Sequence, residues 1–295
     1  MPRHHGIAAL LFNAFVWGVS WWPFRLLDAA GLHSLWATAL VYAVSFAAVV
    51  AWRPNAAAAV ARTPVLWLLG LTSGATNACF NWAVTTGDVV RVVLLFYLMP
   101  LWAMLLARLV LGEALRVAAG LRALLAIAGA ALVLAPGATA WPVPRGLPDW
   151  LALIGGFGFA ATNVLLRRES GRGGAERALA MFAGGIVVPG ALAAGLALVG
   201  LTSWPPAPSW AWIGGTALLA TAFLAGNLAL QYGAARLPSS LTSVVMLSEV
   251  VFAAVSAIAL GAAGWSLPTV AGGLLIGAAC LLAALERTAP EAVPG

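Results

Sequence analysis

The sequence predicts an all-α polytopic membrane protein with ten transmembrane helices in two inverted five-helix repeats. Three observations lead to this fold class. The composition is strongly apolar, the chain divides into ten apolar runs of helix length, and the motif around Asn77 returns around Asn227.

The composition places most of the chain in lipid. Of its 295 residues, 63% are hydrophobic and only 8% are charged, whereas a soluble domain carries about 25% charged residues. So few charges cannot cover a globular surface, so we expect the lipid bilayer to surround the protein. The net charge of +6 would suit nucleic acid, but all 15 basic residues are arginines scattered between apolar runs. Without a basic face, no nucleic-acid partner is expected.

Ten apolar runs of about 18–25 residues, separated by charged or Pro/Gly-rich breaks, predict transmembrane helices. The first run follows Arg3 like a signal peptide, but it contains Trp17 and Arg25 and nine further runs follow it, so we expect it to be retained. No segment is long enough for a separate soluble domain. The predicted spans are 7–27, 33–52, 64–86, 90–110, 117–135, 148–167, 176–199, 208–233, 238–260 and 266–285.

The arginines predict the orientation, because basic residues accumulate in cytoplasmic loops. With the N-terminus inside, eleven arginines are cytoplasmic and only Arg25, Arg91 and Arg145 are external. We therefore expect an inner-membrane protein with both termini in the cytoplasm. Tryptophans at the predicted helix ends are typical of an interfacial aromatic belt; they are Trp52, Trp67, Trp141, Trp150, Trp204, Trp210 and Trp265.

An internal repeat at an offset of about 150 residues divides the chain into halves. Asn77 and Asn81, followed by Trp-Ala, match Asn227 and Gln231, followed by Tyr-Gly. Five spans per half give repeats at residues 1–139 and 140–295, and an odd number inverts the second half relative to the first. Inverted repeats are typical of secondary transporters, whose binding site lies near the membrane midplane between the repeats. Duplication also occurs in membrane proteins that transport nothing, and that alternative stays open.

Short motifs carry a family resemblance. The segments 97–100 (YLMP), 111–115 (LGEAL) and 17–20 (WGVS) resemble the signature of the drug/metabolite transporter superfamily, EamA family. In the second half, Ser248-Glu249 resembles the same motif, but Val250 replaces the usual proline and Gly261-Ala-Ala replaces Gly-Glu. The size and tryptophan content look most like the YddG-type aromatic amino acid exporters. The resemblance implies a ten-helix exporter that moves amino acids or similar metabolites by alternating access.

Buried polar side chains are the first candidates for a substrate site, because they are costly at membrane depth. Ser73, Asn77, Asn81 and Thr85 are spaced four apart and share one face of the third span. The repeat supplies Asn227 and Gln231 on the eighth span. These amides suit the carboxylate and ammonium groups of an amino acid-like substrate. Hydrogen bonds that only join helices are the alternative.

Aromatic residues within spans are the second group of candidates. Trp17 and Trp102 lie at mid-span, and Tyr42 and Tyr97 lie within their helices. Such rings could surround an aromatic side chain or an organic cation, although packing alone would also explain them. Asn163 in the sixth span is a further candidate near the midplane.

Glu249 is the acid nearest the centre of a predicted span. An intramembrane carboxylate is a functional-site hypothesis by default. It could bind a substrate ammonium group or carry a proton, and a structural hydrogen-bonded role is the alternative.

The sequence contains no nucleotide-binding motif and no metal-ligand spacing, so no cofactor and no enzymatic activity are expected. Three functions remain open. The first is export of aromatic and other neutral amino acids. The second is efflux of hydrophobic drugs or organic cations, which would depend on Glu249 more than on the asparagines. The third, from another class, is a membrane enzyme or lipid scramblase. Energy source, exact substrate range and oligomeric state are not predicted.

Overall fold

The computed structural model describes residues 3–86, 92, 95–114, 117–134, 144, 146–261 and 267–285. Within these residues the chain forms helices and contains no strand, which confirms the all-α class. The helices are α1 (Arg3–Ala29), α2 (Ser34–Trp52), α3 (Pro54–Ala61), α4 (Pro64–Thr86), α5 (Met99–Leu111), α6 (Val117–Leu134), α7 (Leu147–Arg168), α8 (Gly174–Leu198), α9 (Trp210–Ala234), α10 (Ser239–Met246), α11 (Ser248–Ala259) and α12 (Leu267–Leu285).

Several helices can cross a bilayer. Among the described residues, α1, α2, α7, α8 and α9 are each long and apolar enough to span it. Helices α3 and α4 meet that requirement as a pair, bent by 99°. Further apolar helices of 10–17 residues lie within α5, α6, α12 and the stretch 244–256. A multi-pass membrane protein is therefore confirmed, whereas the number ten stays a prediction.

Helix α3 was not predicted as a separate element. Residues 53–63 were expected to form a connection, but two prolines start two helices there. Pro54 occupies the first turn of α3, and Pro64 begins α4. Proline is favoured at this position because its missing N–H would be unpaired in any case. The 99° bend turns α3 across the end of α4.

Two spans that were predicted as continuous are interrupted. A turn at Tyr97–Leu98 precedes α5, which carries Pro100 in its first turn. Leu247 separates α10 from α11, although no proline is present there. The Ser248 hydroxyl donates to the carbonyl of Val245 at 2.7 Å, and a side-chain hydroxyl on a helix carbonyl favours a local bend. The interruption therefore occurs in both halves despite the change from proline to Val250.

Glycines end both interrupted spans. Gly112 ends α5 with φ of +69°, and Gly261 follows α11 with φ of +71°. Only glycine adopts this left-handed conformation without steric cost. The sequence difference after Gly261 therefore does not change how this helix ends.

The helices pair in a related way in the two halves. Helix α1 packs against α9 and α11, and helix α7 packs against α4 and α5. Helices α6 and α12 pack against each other. The backbones of α4 and α8 lie close together, because Gly70, Gly74 and Gly184 have no side chains to hold them apart. Small residues permit such contacts between membrane helices.

The bundle has two distinct ends. At one end, Arg167 donates to the carbonyl of Ala235 at 3.1 Å, and α3 packs beside α8. We call this the arginine-rich end; it carries Arg53, Arg62, Arg167, Arg168, Arg172, Arg177 and Arg236. At the opposite end, the Trp36 indole donates to the carbonyl of Ser203 at 3.1 Å. Arg91, Arg116, Arg145 and Arg287 lie outside the described residues.

Candidate functional site

A small cavity lies in the bundle, between α1, α2 and α4 on one side and α7, α8 and α9 on the other. Its volume is about 30 Å³, which is room for about two water molecules. Among the described residues, its wall contains aromatic, amide, hydroxyl, thioether and aliphatic side chains and no charged one. We call it the central cavity; it is lined by Asn13, Trp17, Tyr42, Ser73, Thr76, Asn77, Phe159, Thr162, Met181, Phe223, Asn227 and Leu230.

One wall of the central cavity is aromatic. The Trp17 ring stacks on Phe223, with centroids 4.6 Å apart and planes 23° apart. The Tyr42 ring lies 6.1 Å from Phe223 and 5.7 Å from Phe182. Offset stacked rings of this kind form a flat apolar surface that suits a planar side chain.

A polar strip on α2 and α4 faces the same cavity. The Tyr42 hydroxyl donates to the side-chain oxygen of Asn77 at 3.1 Å. The Asn77 amide nitrogen donates to the carbonyl of Ser73 at 2.7 Å. Asn77 is thereby fixed in one orientation, and both residues are at least 95% buried. Its oxygen keeps a second lone pair that a ligand donor could use.

A second polar strip contains two asparagines that face sulfur atoms. The Asn227 amide donates to the Met181 sulfur at 3.7 Å, and the Asn13 amide donates to the Met246 sulfur at 3.4 Å. Thioether sulfur is a weak acceptor. The Asn13 side-chain oxygen is buried and has no hydrogen-bond partner among the described residues. Both amides therefore keep hydrogen-bonding capacity that the protein itself does not use.

Five of the residues predicted from the sequence line the central cavity: Trp17, Tyr42, Ser73, Asn77 and Asn227. Asn81 is buried beside it and donates to the Thr38 hydroxyl at 2.6 Å. The side chain of Thr85 lies outside the described part of the chain.

Gln231 connects α9 to the first turn of α8. In one orientation its amide nitrogen donates to the Asn227 side-chain oxygen at 2.7 Å. With the amide turned over, the nitrogen donates instead to the Gly174 carbonyl at 3.0 Å and the oxygen accepts from the Ala178 N–H at 3.2 Å. Gln231 is thus next to the cavity wall and is not part of the lining.

The remaining predicted residues lie farther from the central cavity. Tyr97 is buried at the turn before α5, close enough to Glu249 for an electrostatic interaction. Trp102 on α5 packs edge-on against Phe157 with centroids 6.0 Å apart. Asn163 is fully buried within α7. Their roles in binding stay predictions.

Glu249 lies in the first turn of α11, beside the interruption of its span. A Cβ atom at Gly18 would lie 2.7 Å from the backbone oxygen of Glu249, so α1 and α11 touch there. Glu249 is not among the residues that line the central cavity. Its role in substrate binding stays a prediction.

Several lining residues were missed by sequence reasoning. Asn13 is a fully buried amide in an apolar helix, and the rule that identified Asn77 would have identified it. Phe223 had no distinguishing signal, because phenylalanine is common in transmembrane helices. Thr162 had none either, because a membrane threonine is usually satisfied by its own helix; here its hydroxyl donates to the Thr72 hydroxyl at 3.0 Å.

The fold and the cavity together define a multi-pass helical membrane protein with a central cavity lined by aromatic and polar side chains. Comparison with known proteins agrees with this class. Residues 4–135 match the model of the EamA-like transporter family, which indicates a membrane transporter of small molecules. A solved crystal structure superposes with a TM-score of 0.73 at 21% sequence identity, covering 94% of this chain and 96% of the other. That similarity establishes a shared fold. No curated protein matches the chain.

Proposed function

We propose that this protein is an inner-membrane transporter that exports aromatic amino acids, together with other neutral amino acids, by alternating access. The observation that carries the proposal is the lining of the central cavity. Stacked aromatic rings form one wall and neutral amides and hydroxyls form the others, and none of the described lining residues is charged.

Each wall matches one part of such a substrate. The stacked Trp17 and Phe223 rings offer a flat face for an aromatic side chain. The oxygens of Asn77 and Asn13 can accept hydrogen bonds from an ammonium group, and the amide of Asn227 can donate to a carboxylate. A zwitterion has no net charge, so it needs hydrogen-bonding partners more than a fixed counter-ion.

The size of the central cavity supports alternating access. Its volume of about 30 Å³ is far below the roughly 300–1,000 Å³ of small-molecule sites. A substrate can therefore enter only if the halves of the bundle move apart. In this conformation the central site is too small for an amino acid, as expected for a transporter that opens its site alternately to each side.

Inverted repeats, in residues 1–139 and 140–295, would supply that motion. Three observations support them. Helix α1 packs against α9 and α11 as α7 packs against α4 and α5. The interruptions at Leu98 and Leu247 are followed by helices that both end at left-handed glycines. The family match ends at residue 135, close to the proposed boundary.

The experiment is uptake of labelled phenylalanine, tryptophan, alanine and an organic cation into proteoliposomes. We expect saturable uptake of tryptophan and phenylalanine. In Asn77→Ala, the loss of hydrogen bonds to substrate should lower kcat/KM by about 10-fold or more. The control is Thr221→Ala, which removes a polar group from the exposed face of α9, where the Thr221 hydroxyl bonds only its own helix. No aromatic uptake above that of empty liposomes would overturn the proposal.

Efflux of organic cations or hydrophobic drugs is the alternative function, and Glu249 is the residue that favours it. Cation uptake that disappears in Glu249→Gln, without amino acid uptake, would support the alternative. Amino acid uptake that loses only its dependence on a proton gradient in Glu249→Gln would instead make Glu249 the coupling residue.

A further inference from the structure

A second cavity opens at the arginine-rich end, where α2 meets α3 and α8 begins. Its volume is about 670 Å³, within the roughly 300–1,000 Å³ typical of small-molecule sites. We call it the access cleft; it is lined by Val49, residues 52–56, residues 173–176 and Leu228. The access cleft contains charged side chains of both signs, in contrast to the central cavity.

The two charges in the access cleft come from different helices. Arg53 lies at the junction of α2 and α3, and Glu176 lies in the first turn of α8. The ion pairs found among the described residues join Glu169 to Arg168 and Arg172, and none joins Arg53 to Glu176. Opposite charges that face one cavity without pairing leave space for a ligand that carries both charges.

An aromatic surface completes the lining of the access cleft. The indole of Trp52 is 67% exposed, and the guanidinium of Arg53 lies 5.0 Å from its ring centroid. An interfacial position explains why a tryptophan is tolerated here. It does not explain why the ring lines a cavity that also contains Arg53 and Glu176, two opposite charges that do not pair with each other. The three groups together match the side chain, carboxylate and ammonium of an aromatic amino acid.

Gln231 separates the access cleft from the central cavity. Helices α2, α8 and α9 line both spaces, and Val49 in the cleft is seven residues from Tyr42 in the cavity. Seven helical residues correspond to about 10 Å. The side chain of Gln231 crosses from α9 to Gly174, a cleft residue, while it touches Asn227, a cavity residue.

We propose that the access cleft is a second binding site for the zwitterionic substrate, occupied before the central cavity. Arg53 binds the carboxylate, Glu176 binds the ammonium group and Trp52 contacts the side chain. The Gln231 bridge closes the route from the cleft to the central cavity. This inference rests on the proposed function, because it assumes that the substrate is an amino acid.

The test is equilibrium binding of labelled tryptophan to the purified full-length protein in phosphatidylglycerol nanodiscs. We expect two sites per chain. Arg53→Gln and Glu176→Gln should each weaken one site by about 10-fold, the size expected for a lost charge-assisted contact, and leave the other unchanged. Asn77→Ala should weaken the other site. Arg62→Gln is the matched control, because it removes an exposed arginine from the same end but outside the cleft.

Substrate analogues assign the roles of the two charges. Tryptamine lacks the carboxylate, so its binding should not respond to Arg53→Gln. Indole-3-propionate lacks the amine, so its binding should not respond to Glu176→Gln.

Gln231→Leu should speed the filling of the central site without changing the affinity of the cleft. An unchanged filling rate would contradict the gating role of Gln231.

Three results would overturn the access site. In the first, only one tryptophan binds per chain, and Asn77→Ala lowers its affinity whereas Arg53→Gln does not. This would disprove substrate binding in the access cleft and leave the proposed function intact. A second tryptophan site that is present in phosphatidylglycerol nanodiscs but absent in phosphatidylethanolamine nanodiscs would show that a lipid headgroup occupies the cleft. No tryptophan binding at either site would remove both this inference and the proposed substrate.

Discussion

At the scale of single residues, we expect His33 to make the stability of the protein depend on pH. It lies between α1 and α2, and its Nδ1 accepts a hydrogen bond from the N–H of Leu35 at 3.2 Å, which caps α2. Burial lowers the pKa of His33, and the negative charge of Asp28 partly opposes this shift. A protonated Nδ1 could not accept the capping hydrogen bond.

The sign of this effect follows from proton binding. The unfolded chain binds a proton at His33 near pH 6.5, and the folded chain does so only at lower pH because its pKa is lowered. Folded-state stability should therefore fall as the pH drops below about 6.5. We expect the detergent-solubilised protein to have a lower Tm at pH 5.5 than at pH 7.5. Asparagine also caps helices but does not titrate, so His33→Asn should show a smaller decrease. An equal decrease in both proteins would exclude His33 as the cause.

The residues of the cavity show how far single positions could be predicted. Asn77 and Asn227 were identified because an amide within an apolar run is costly unless it has a partner. The same criterion also selected Asn81, whose partner proves to be Thr38, and Gln231, which bonds the backbone of α8. A sequence shows that a polar group needs a partner but not whether that partner is the protein or a ligand.

At the scale of helices, the contact between α4 and α8 depends on glycine. A Cβ atom at Gly184 would overlap the carbonyl oxygen of Gly70. Because this obstacle is backbone, the helices would have to separate. We expect Gly184→Ala to lower the free energy of unfolding by about 3 kcal/mol. Gly195→Ala on the same helix is the control, because nothing lies within 4 Å of its added Cβ. Chemical denaturation in detergent would compare them, and equal stabilities would refute this account of the contact.

The ends of the interrupted spans give a second prediction at this scale. Gly261 follows α11 with φ of +71°, where a side chain costs about 1–2 kcal/mol. Gly261→Ala should therefore lower the free energy of unfolding by that amount, although open space surrounds the position. Gly273→Ala within α12 also adds a Cβ to open space but has no positive φ. Unfolding measurements in which Gly273→Ala is destabilised as much as Gly261→Ala would show that backbone strain is not responsible.

The helices also show which elements a hydropathy pattern can predict. The bounds of α2, α8 and α9 agree with the predicted spans to within about two residues, because unbroken apolar runs define them. The interruption at Leu247 could not be predicted in this way, since residues 238–260 contain no proline or glycine after Pro238 that would mark a break. The break coincides with a hydrogen bond of the Ser248 hydroxyl to the Val245 carbonyl, and hydropathy does not register such a bond. Helix α3 was missed because it is too short to span a membrane.

At the scale of the whole molecule, the orientation in the membrane remains to be tested. The structure brings arginines from α2, α3, α7, α8 and α9 to one end of the bundle. Positive residues are retained on the cytoplasmic side during insertion, so we expect this end to face the cytoplasm. The access cleft opens at the same end. An exporter must load its substrate from the cytoplasm, so the orientation and the proposed direction of transport depend on each other.

Single-cysteine labelling in intact cells would decide the orientation. In a background without Cys79 and Cys280, Ser170→Cys places a thiol at the exposed arginine-rich end and Ser203→Cys places one at the exposed opposite end. A membrane-impermeant maleimide should label Ser203→Cys at once and Ser170→Cys only after the membrane is permeabilised. The reverse pattern would place the access cleft outside the cell. The same cavities would then load from the outside, and the protein would have to be an importer.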